Sequence, residues 1–357
     1  MKKIEIFFRK LLINILLSFR FEAKPNKGNY LSEDSKILFI RLNRIGDALV
    51  ITPLLHEIRK AVKGKIFLLV DRKNYFVFDN NNDVDQIIIF EKGIKGIFNV
   101  LRLIKENKIE TVVDLHDDVS TTVTFLLAFA KSSNKLGLDK ENRKVYTSTI
   151  PRMDPQRFHI IERMMSIGKF FQLSYSKDDL NIKYKPGLES EKNVQCFLEE
   201  NNLQGKFLAG INISAGSDAR FWGIENYKKL LTFFSGLDMN VLLITSPRDL
   251  ERAKEISNNK INIYYSDSFD EFAAAISKLD FLFTPDTAAV HLASAFRVPV
   301  FGLYVKYKTN DMIWSPYCSK FEYVITEEQT LKNIKFEEVK NKLDPFIKSI
   351  LLQNVHQ

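Results

Sequence analysis

The sequence predicts an α/β protein made of two Rossmann-like, doubly wound parallel-sheet domains. Three observations carry that expectation. Short continuous apolar runs alternate with helical segments, as in a parallel sheet covered on both faces. The alternation stops at a polar stretch over residues 177–191 that contains Pro186 and Gly187, and then it begins again. The 357 residues leave room for two domains of ordinary size with full cores.

In the first half, KILFIRL (36–42) reads as a buried strand, followed by a helix running to about Val62. Strands KIFLLVD (65–71) and QIIIF (86–90), a helix around Asn99–Asn107 and strand TVVDLH (111–116) follow. The second half repeats the pattern. Strands FLAGINIS (207–214), NVLLITS (240–246), INIYYS (261–266) and FLFTP (281–285) precede helices starting near Glu225, Arg248, Phe269 and Thr287. VPVFGLY (298–304) supplies a further strand. The expected domains are residues 36–180 and 188–335, held together over a ligand cleft beyond the carboxyl ends of the strands. A helix over 336–357 is expected to be able to pack back on the first domain.

The net charge of +8 is unevenly spread. Residues 1–27 carry seven basic groups against Glu5 and Glu22, so five of the eight charges sit there and three remain on the body. That distribution points to no nucleic-acid partner. Within residues 1–30, apolar residues recur at helical spacing from Ile4 to Phe19, and the basic residues lie largely off that stripe. The stretch Leu11–Phe19 is far short of the roughly 20 residues that span a bilayer. A signal peptide fits poorly with Glu5, with the Arg9–Lys10 pair, and with the lack of a small-x-small cleavage site. A basic amphipathic helix on an anionic membrane surface fits better. A helix packed on the body or on a partner subunit is the alternative. Cys196 and Cys318 are the only cysteines, which excludes a disulfide framework and favours a reducing compartment.

Three strand ends concentrate chemistry. The first, RLNRIGD, places Arg41, Arg44 and Asp47 at the end of the first strand, where a glycine-rich phosphate loop is missing. A carboxylate there can accept a proton from a hydroxyl, and the arginines can hold an anionic substrate. Asp47 as a helix cap with solvated arginines is an equally ordinary reading of that stretch alone. The second, FTPDTAAVH, opens a helix at Asp286–Thr287 and carries His291 one turn on, a setting that favours phosphate. An N-cap followed by a core histidine is its plain alternative. The third, SAGSDARFW, is a small turn with Gly216 and Ser217, followed by Arg220 and Trp222. A diphosphate clasped between the second and third strand ends would be well neutralised. Two acidic clusters are weaker. Asp83–Val84–Asp85 reads as a polar turn and not as a metal-binding pair, and Asp114–Asp118 reads as a strand-end loop, so no metal is assigned.

Together these motifs resemble the ADP-heptose:lipopolysaccharide heptosyltransferases, the GT-B enzymes of glycosyltransferase family 9. The resemblance covers about Lys36 to Phe346 and rests on several motifs in order. They are Arg41 with Gly46–Asp47 and Thr52–Pro53, His159 with Glu162–Arg163, Gly216–Ser217 with Arg220 and Trp222, and Asp286–Thr287–Ala288 with His291. VVDLH and KLGLD fall where the family has similar runs. The resemblance implies an inverting, metal-independent glycosyltransferase without a cofactor, its nucleotide-sugar donor being ADP-heptose. The implied acceptor is a lipid-linked anionic glycan such as the lipopolysaccharide core. The implied location is cytoplasmic, peripheral on the inner face of the cytoplasmic membrane.

Residue by residue, the resemblance implies Asp47 as general base. It implies Gly216, Ser217, Arg220, Thr287 and Ala288 on the donor diphosphate, Asp286 on the donor sugar, and His291 on the donor or its helix end. Arg41, Arg44, His159 and Arg163 would face the acceptor, Asp249 the ribose, and the backbone near Ser268 the base. Two positions depart from the family pattern: Ala288 stands where a glycine is usual and Arg220 where a lysine is usual. A nucleotide-sugar epimerase of the same fold and a catalytically silent binding protein are the rival expectations.

Overall fold

The computed structural model describes Ser18 and residues 34–354. But for Ser18, the expected N-terminal helix and its membrane contact through residues 1–27 lie outside the described residues. The chain divides into two units, residues 1–180 and 181–357.

In the first unit, β1 (Ile37–Arg41), β2 (Ile66–Val70), β3 (Gln86–Ile89), β4 (Thr111–Asp114), β5 (Asn134–Leu138) and β6 (Ser148–Ile150) form one parallel sheet in the order β3-β2-β1-β4-β5-β6. Ile37 pairs with Ile66 on one side and with Thr111 on the other, which makes β1 central. Every residue of β1 and β2 is buried, so both strands are covered on both faces, and all but Arg41 at the end of β1 are apolar. The helix expected after β1 is two helices, α1 (Ile45–Leu49) and α2 (Thr52–Ala61). Pro53 accounts for the break. It has no N–H for a bond back to Leu49 and suits the first turn of a new helix, and the Thr52 hydroxyl donates to the Leu49 carbonyl at 2.8 Å. Next come α3 (Ile94–Glu106), α4 (Thr121–Phe129) and α5 (Ile160–Met165).

The second unit repeats this winding. Its strands β7 (Leu208–Asn212), β8 (Asn240–Thr245), β9 (Asn262–Tyr265), β10 (Phe281–Pro285), β11 (Val300–Val305) and β12 (Phe321–Thr326) are parallel in the order β12-β11-β10-β7-β8-β9. Counted within the unit, this is the same order as in the first. Its helices are α6 (Leu188–Glu200), α7 (Ile224–Ser235), α8 (Leu250–Ser257), α9 (Phe269–Ser277), α10 (Ala288–Phe296) and α11 (Phe336–Asn354). The apolar stripe of α11, expected to be able to cover the first domain, is used in the second unit's own core. Val339, Leu343, Ile347 and Ile350 are buried with Phe281, Phe301 and Trp222.

Trp222 explains why the third sequence motif ends in an aromatic residue. It is fully buried against Tyr227, Phe283 and Phe336, and its indole N–H donates to the Ile334 carbonyl at 2.9 Å. Its role is therefore to fix the turn that precedes α7. Trp222→Phe is expected to cost about 1–3 kcal/mol, because it leaves that buried carbonyl unpaired. Chemical denaturation would measure this, and donor affinity should be unchanged at temperatures where the variant is folded.

Candidate active site

A doubly wound sheet reverses its strand order at one point, and ligands gather there at the carboxyl ends. In the first unit that point lies between β1 and β4. Asp47 is in the first turn of α1, just beyond β1, with 14% of its side chain exposed. One carboxylate oxygen takes the Arg41 guanidinium at 2.5 Å, and the other takes the Arg44 backbone N–H at 3.3 Å. The helix-capping role and an aimed carboxylate are thus both present in one residue.

Arg41 itself is only 1% exposed. Its remaining N–H groups donate to the Asp47 carbonyl, at 3.1 Å, and to the Leu115 carbonyl beyond β4. It ties Asp47 to both central strands. Burial and three internal bonds thus engage the guanidinium of Arg41, which was expected at the acceptor. Arg44 is exposed and remains open to that role.

The loop after β4 is fixed by a buried network. The His116 ring lies 2.7 Å from Asp114 through Nδ1 and 2.7 Å from the Leu42 carbonyl through Nε2. Asp114, fully buried, also accepts from Lys140 at 2.8 Å and from the Tyr146 hydroxyl at 2.6 Å. Burial alone would raise the Asp114 carboxyl, but the charges of Lys140 and His116 and their hydrogen bonds outweigh it. They hold the group well below the usual carboxylate range. Burial, and then the Asp114 charge, push the Tyr146 phenol up.

His159 and Arg163, also expected at the acceptor, have partners within the first unit. His159 caps α5, accepting the Ile161 N–H at 3.3 Å, and Glu162 closes the capping box by accepting the His159 N–H at 2.8 Å. Arg163 is buried and pairs with Asp117, which also takes Arg152 at 2.7 Å. Arg163 thereby ties α5 to the β4 loop, and His159 fixes the start of that helix. The paired aspartates of the 83–85 stretch are also engaged internally. Asp83 meets His56 at 3.1 Å, and Asp85 meets Arg59 at 3.1 Å and the Ile66 N–H at 2.7 Å.

In the second unit the reversal lies between β7 and β10. Asn212, buried at the end of β7, joins the two strand ends. Its amide donates to the Thr284 hydroxyl at 2.9 Å, the Thr287 hydroxyl at 3.3 Å and the Ser214 carbonyl at 3.2 Å. Thr287 caps α10 by accepting the Ala289 N–H at 3.3 Å, and Ala288 is the first helical residue. Arg220 reaches across to Asp286, with 3.1 Å contacts to its carboxylate and to its carbonyl. The structure therefore brings Arg220, Asp286, Thr287 and Ala288 together, beside the exposed Gly216–Ser217 turn. His291 is buried on α10, with its ring centre 6.0 Å from that of Trp314. Ser268 is the exposed cap of α9 beyond β9, accepting the Glu271 N–H at 3.3 Å.

Asp249, expected at the ribose, is held by its own neighbours. It is 3% exposed, and its carboxylate is held by Ser214 at 2.9 Å, Ser246 at 3.2 Å, Arg252 at 3.2 Å and Arg248 at 3.3 Å. It anchors the strand-end loops. A pocket of about 490 Å³ opens there, lined by Ser217, Asp218, Arg248, Asp249, Glu251 and Arg252. Arg248 and Arg252 were not among the expected site residues. A signal was available for Arg248, which lies in the turn between β8 and α8 as Arg220 lies in the turn between β7 and α7, whereas Arg252 is inside α8.

Gly216 is not required by this unit's own packing. A Cβ built on it meets nothing within 4 Å, and its φ is not positive. Gly216→Ala is therefore expected to fold with unchanged stability. If the turn takes a ligand against its backbone, the variant should lose donor affinity by about tenfold, as isothermal titration would show.

Two doubly wound parallel sheets in one chain, each with polar side chains gathered at its reversal point, define the GT-B class of glycosyltransferase fold. The chain belongs to glycosyltransferase family 9 (heptosyltransferase), whose sequence profile matches residues 97–343. It is 24% identical over 359 residues, 96% of each chain, to an Escherichia coli (strain K12) protein provisionally named lipopolysaccharide heptosyltransferase 4. The fold is shared with a family 9 glycosyl transferase from Veillonella parvula DSM 2008, at a TM-score of 0.76 and 20% identity, covering 91% of this chain and 100% of that one. It is also shared with E. coli ADP-heptose lps heptosyltransferase II, at a TM-score of 0.69 and 18% identity, covering 89% and 99%.

Proposed function

We propose that this protein transfers heptose from ADP-heptose to the anionic inner core of lipopolysaccharide, with inversion at the anomeric carbon, at the cytoplasmic face of the membrane. The observation that carries the reading is Asp47, a partly exposed carboxylate at the reversal point of the first sheet, aimed by the buried Arg41. The relatives' names supply the donor and the acceptor class.

In the proposed reaction Asp47 takes the proton of an acceptor hydroxyl. The freed oxygen attacks the anomeric carbon on the face opposite the diphosphate. The bond from that carbon to the phosphate oxygen breaks, and its electron pair leaves on ADP. Arg220, with the N–H groups at Thr287–Ala288 and the Gly216–Ser217 turn, neutralises the departing phosphate. The Arg220–Asp286 pair is only partly buried, so a diphosphate can compete with Asp286 for the guanidinium. Asp286 is then left to accept from donor-sugar hydroxyls. Arg248 and Arg252 flank the pocket in which the nucleotide is expected to lie. Arg44 is the acceptor contact retained in this reading. No metal takes part in it, so transfer should persist in a chelator.

The test is a donor panel with product analysis. ADP-heptose should raise the unfolding temperature more than other nucleotide sugars, and NMR of the product should show an anomeric configuration opposite to the donor's. A retained configuration, or equal stabilisation by every nucleotide sugar, would reject the respective part of the reading.

A further inference from the structure

The helix α3 has two apolar sides. Gly96, Val100 and Ile104 are buried in the first unit's core, while Ile94 and Phe98, one turn apart, are 74% and 65% exposed. A surface helix ordinarily carries polar residues on that side. The strand that leads into it ends with Ile89, itself 39% exposed.

Charge distinguishes this face from a scatter of surface apolar residues. Between residues 92 and 105 the sequence has Lys92, Lys95, Arg102 and Lys105 and no acidic residue. All four are exposed. Lys92 and Arg102 make only marginal ion pairs, at 3.9 Å to Asp71 and 4.0 Å to Glu106, which leave their charges nearly intact.

Like charge argues against two occupants. The chain's own segment 1–27 carries five net positive charges and would be repelled. A second copy placed face to face would oppose cation to cation. An anionic lipid surface meets both requirements, because bulky apolar side chains enter the acyl boundary while lysine and arginine remain at the headgroups. We propose that the exposed face of α3, with Ile94 and Phe98 at its centre and Lys92, Lys95, Arg102 and Lys105 around it, docks into the headgroup layer of an anionic bilayer. This docking is independent of the sugar-transfer reading and is additional to any contact made by residues 1–27.

The test places a fluorescent reporter on the face itself in the full chain. Phe98→Trp should show blue-shifted emission, and quenching by brominated lipid, with phosphatidylethanolamine–phosphatidylglycerol vesicles. It should not do so with neutral phosphatidylcholine vesicles, and the unsubstituted chain, with Trp222 and Trp314, is the control. The double variant Ile94→Ser, Phe98→Ser should sediment with anionic vesicles at least about tenfold less well, with an unchanged unfolding midpoint. Absence of quenching while the chain is vesicle-bound would overturn the proposal. So would equal quenching by neutral lipid, or lipid-free dimerisation that Phe98→Ser abolishes.

Discussion

Replacing Asp47 with asparagine is expected to lower the rate of transfer by about 10²–10⁴-fold, the usual contribution of a positioned general base. The substitution is nearly isosteric. It keeps one oxygen, enough for Arg41 or for the Arg44 N–H but not for both, while the Arg41 bond to the Asp47 backbone carbonyl is untouched. Donor affinity should change little, because the groups proposed to bind the donor belong to the second unit's strand ends. A steady-state rate combined with a separate donor titration distinguishes lost chemistry from lost binding. Transfer retained within a few-fold would remove Asp47 from the base role. Arg41→Lys sharpens the test. Lysine restores the charge but not the forked geometry that reaches both Asp47 and Leu115, so a partial rate loss is expected.

The second large effect concerns stability. Asp114→Ala should destabilise the first unit by about 3–5 kcal/mol, since it leaves the buried Lys140 without its charge partner. The unfolding midpoint would fall at roughly 2–4 °C per kcal/mol. The same carboxylate predicts a pH dependence. Its pKa is lower in the folded protein than in the unfolded chain. The stabilisation it gives is therefore fully present above the unfolded value, near ~3.9, and is lost as pH falls below it. Denaturation at pH 7 and at pH 3 should show a steeper acid loss for the unsubstituted protein than for Asp114→Asn. Equal slopes would contradict the assigned network.

Much of this was legible in the sequence, and the parts that were not share physical causes. Central strands such as ILFIR and FLFTP are continuous apolar runs and stand out without any partner in view. Three other strands did not. NKLGL carries a glycine and polar residues, STI has three residues, and FEYVIT alternates like a surface strand. Such segments become strands through their neighbours, which a single sequence does not display. The gathering of Thr287 and Arg220 was readable because both occupy strand-to-helix turns whose chemistry is local. The fates of Arg41, His159, Arg163 and Asp249 were not, because burial depends on what else reaches the same space. Arg41 is claimed by a carbonyl 74 residues away, and Asp249 by a serine 35 residues away. Sequence position showed that these side chains lie near strand ends, while only the folded arrangement distinguishes residues that support the site from residues that face the substrate.

Gly46 illustrates the same point on a small scale. A glycine between a strand and a helix suggests a turn, yet Gly46 lies within the first turn of α1. The turn is closed instead by Arg41 and by Asp47 itself.

The measurement that tests the central claim most directly is single-product transfer. The purified full chain is incubated with ADP-heptose and a lipopolysaccharide inner-core acceptor lacking its terminal heptose, and the acceptor is weighed by mass spectrometry while ADP is quantified. The account predicts a mass gain of one heptose, with one ADP released per acceptor modified and both signals lost with Asp47→Asn. Failure to modify this or any lipid-linked core acceptor across a panel of nucleotide sugars, with a folded protein, would contradict it.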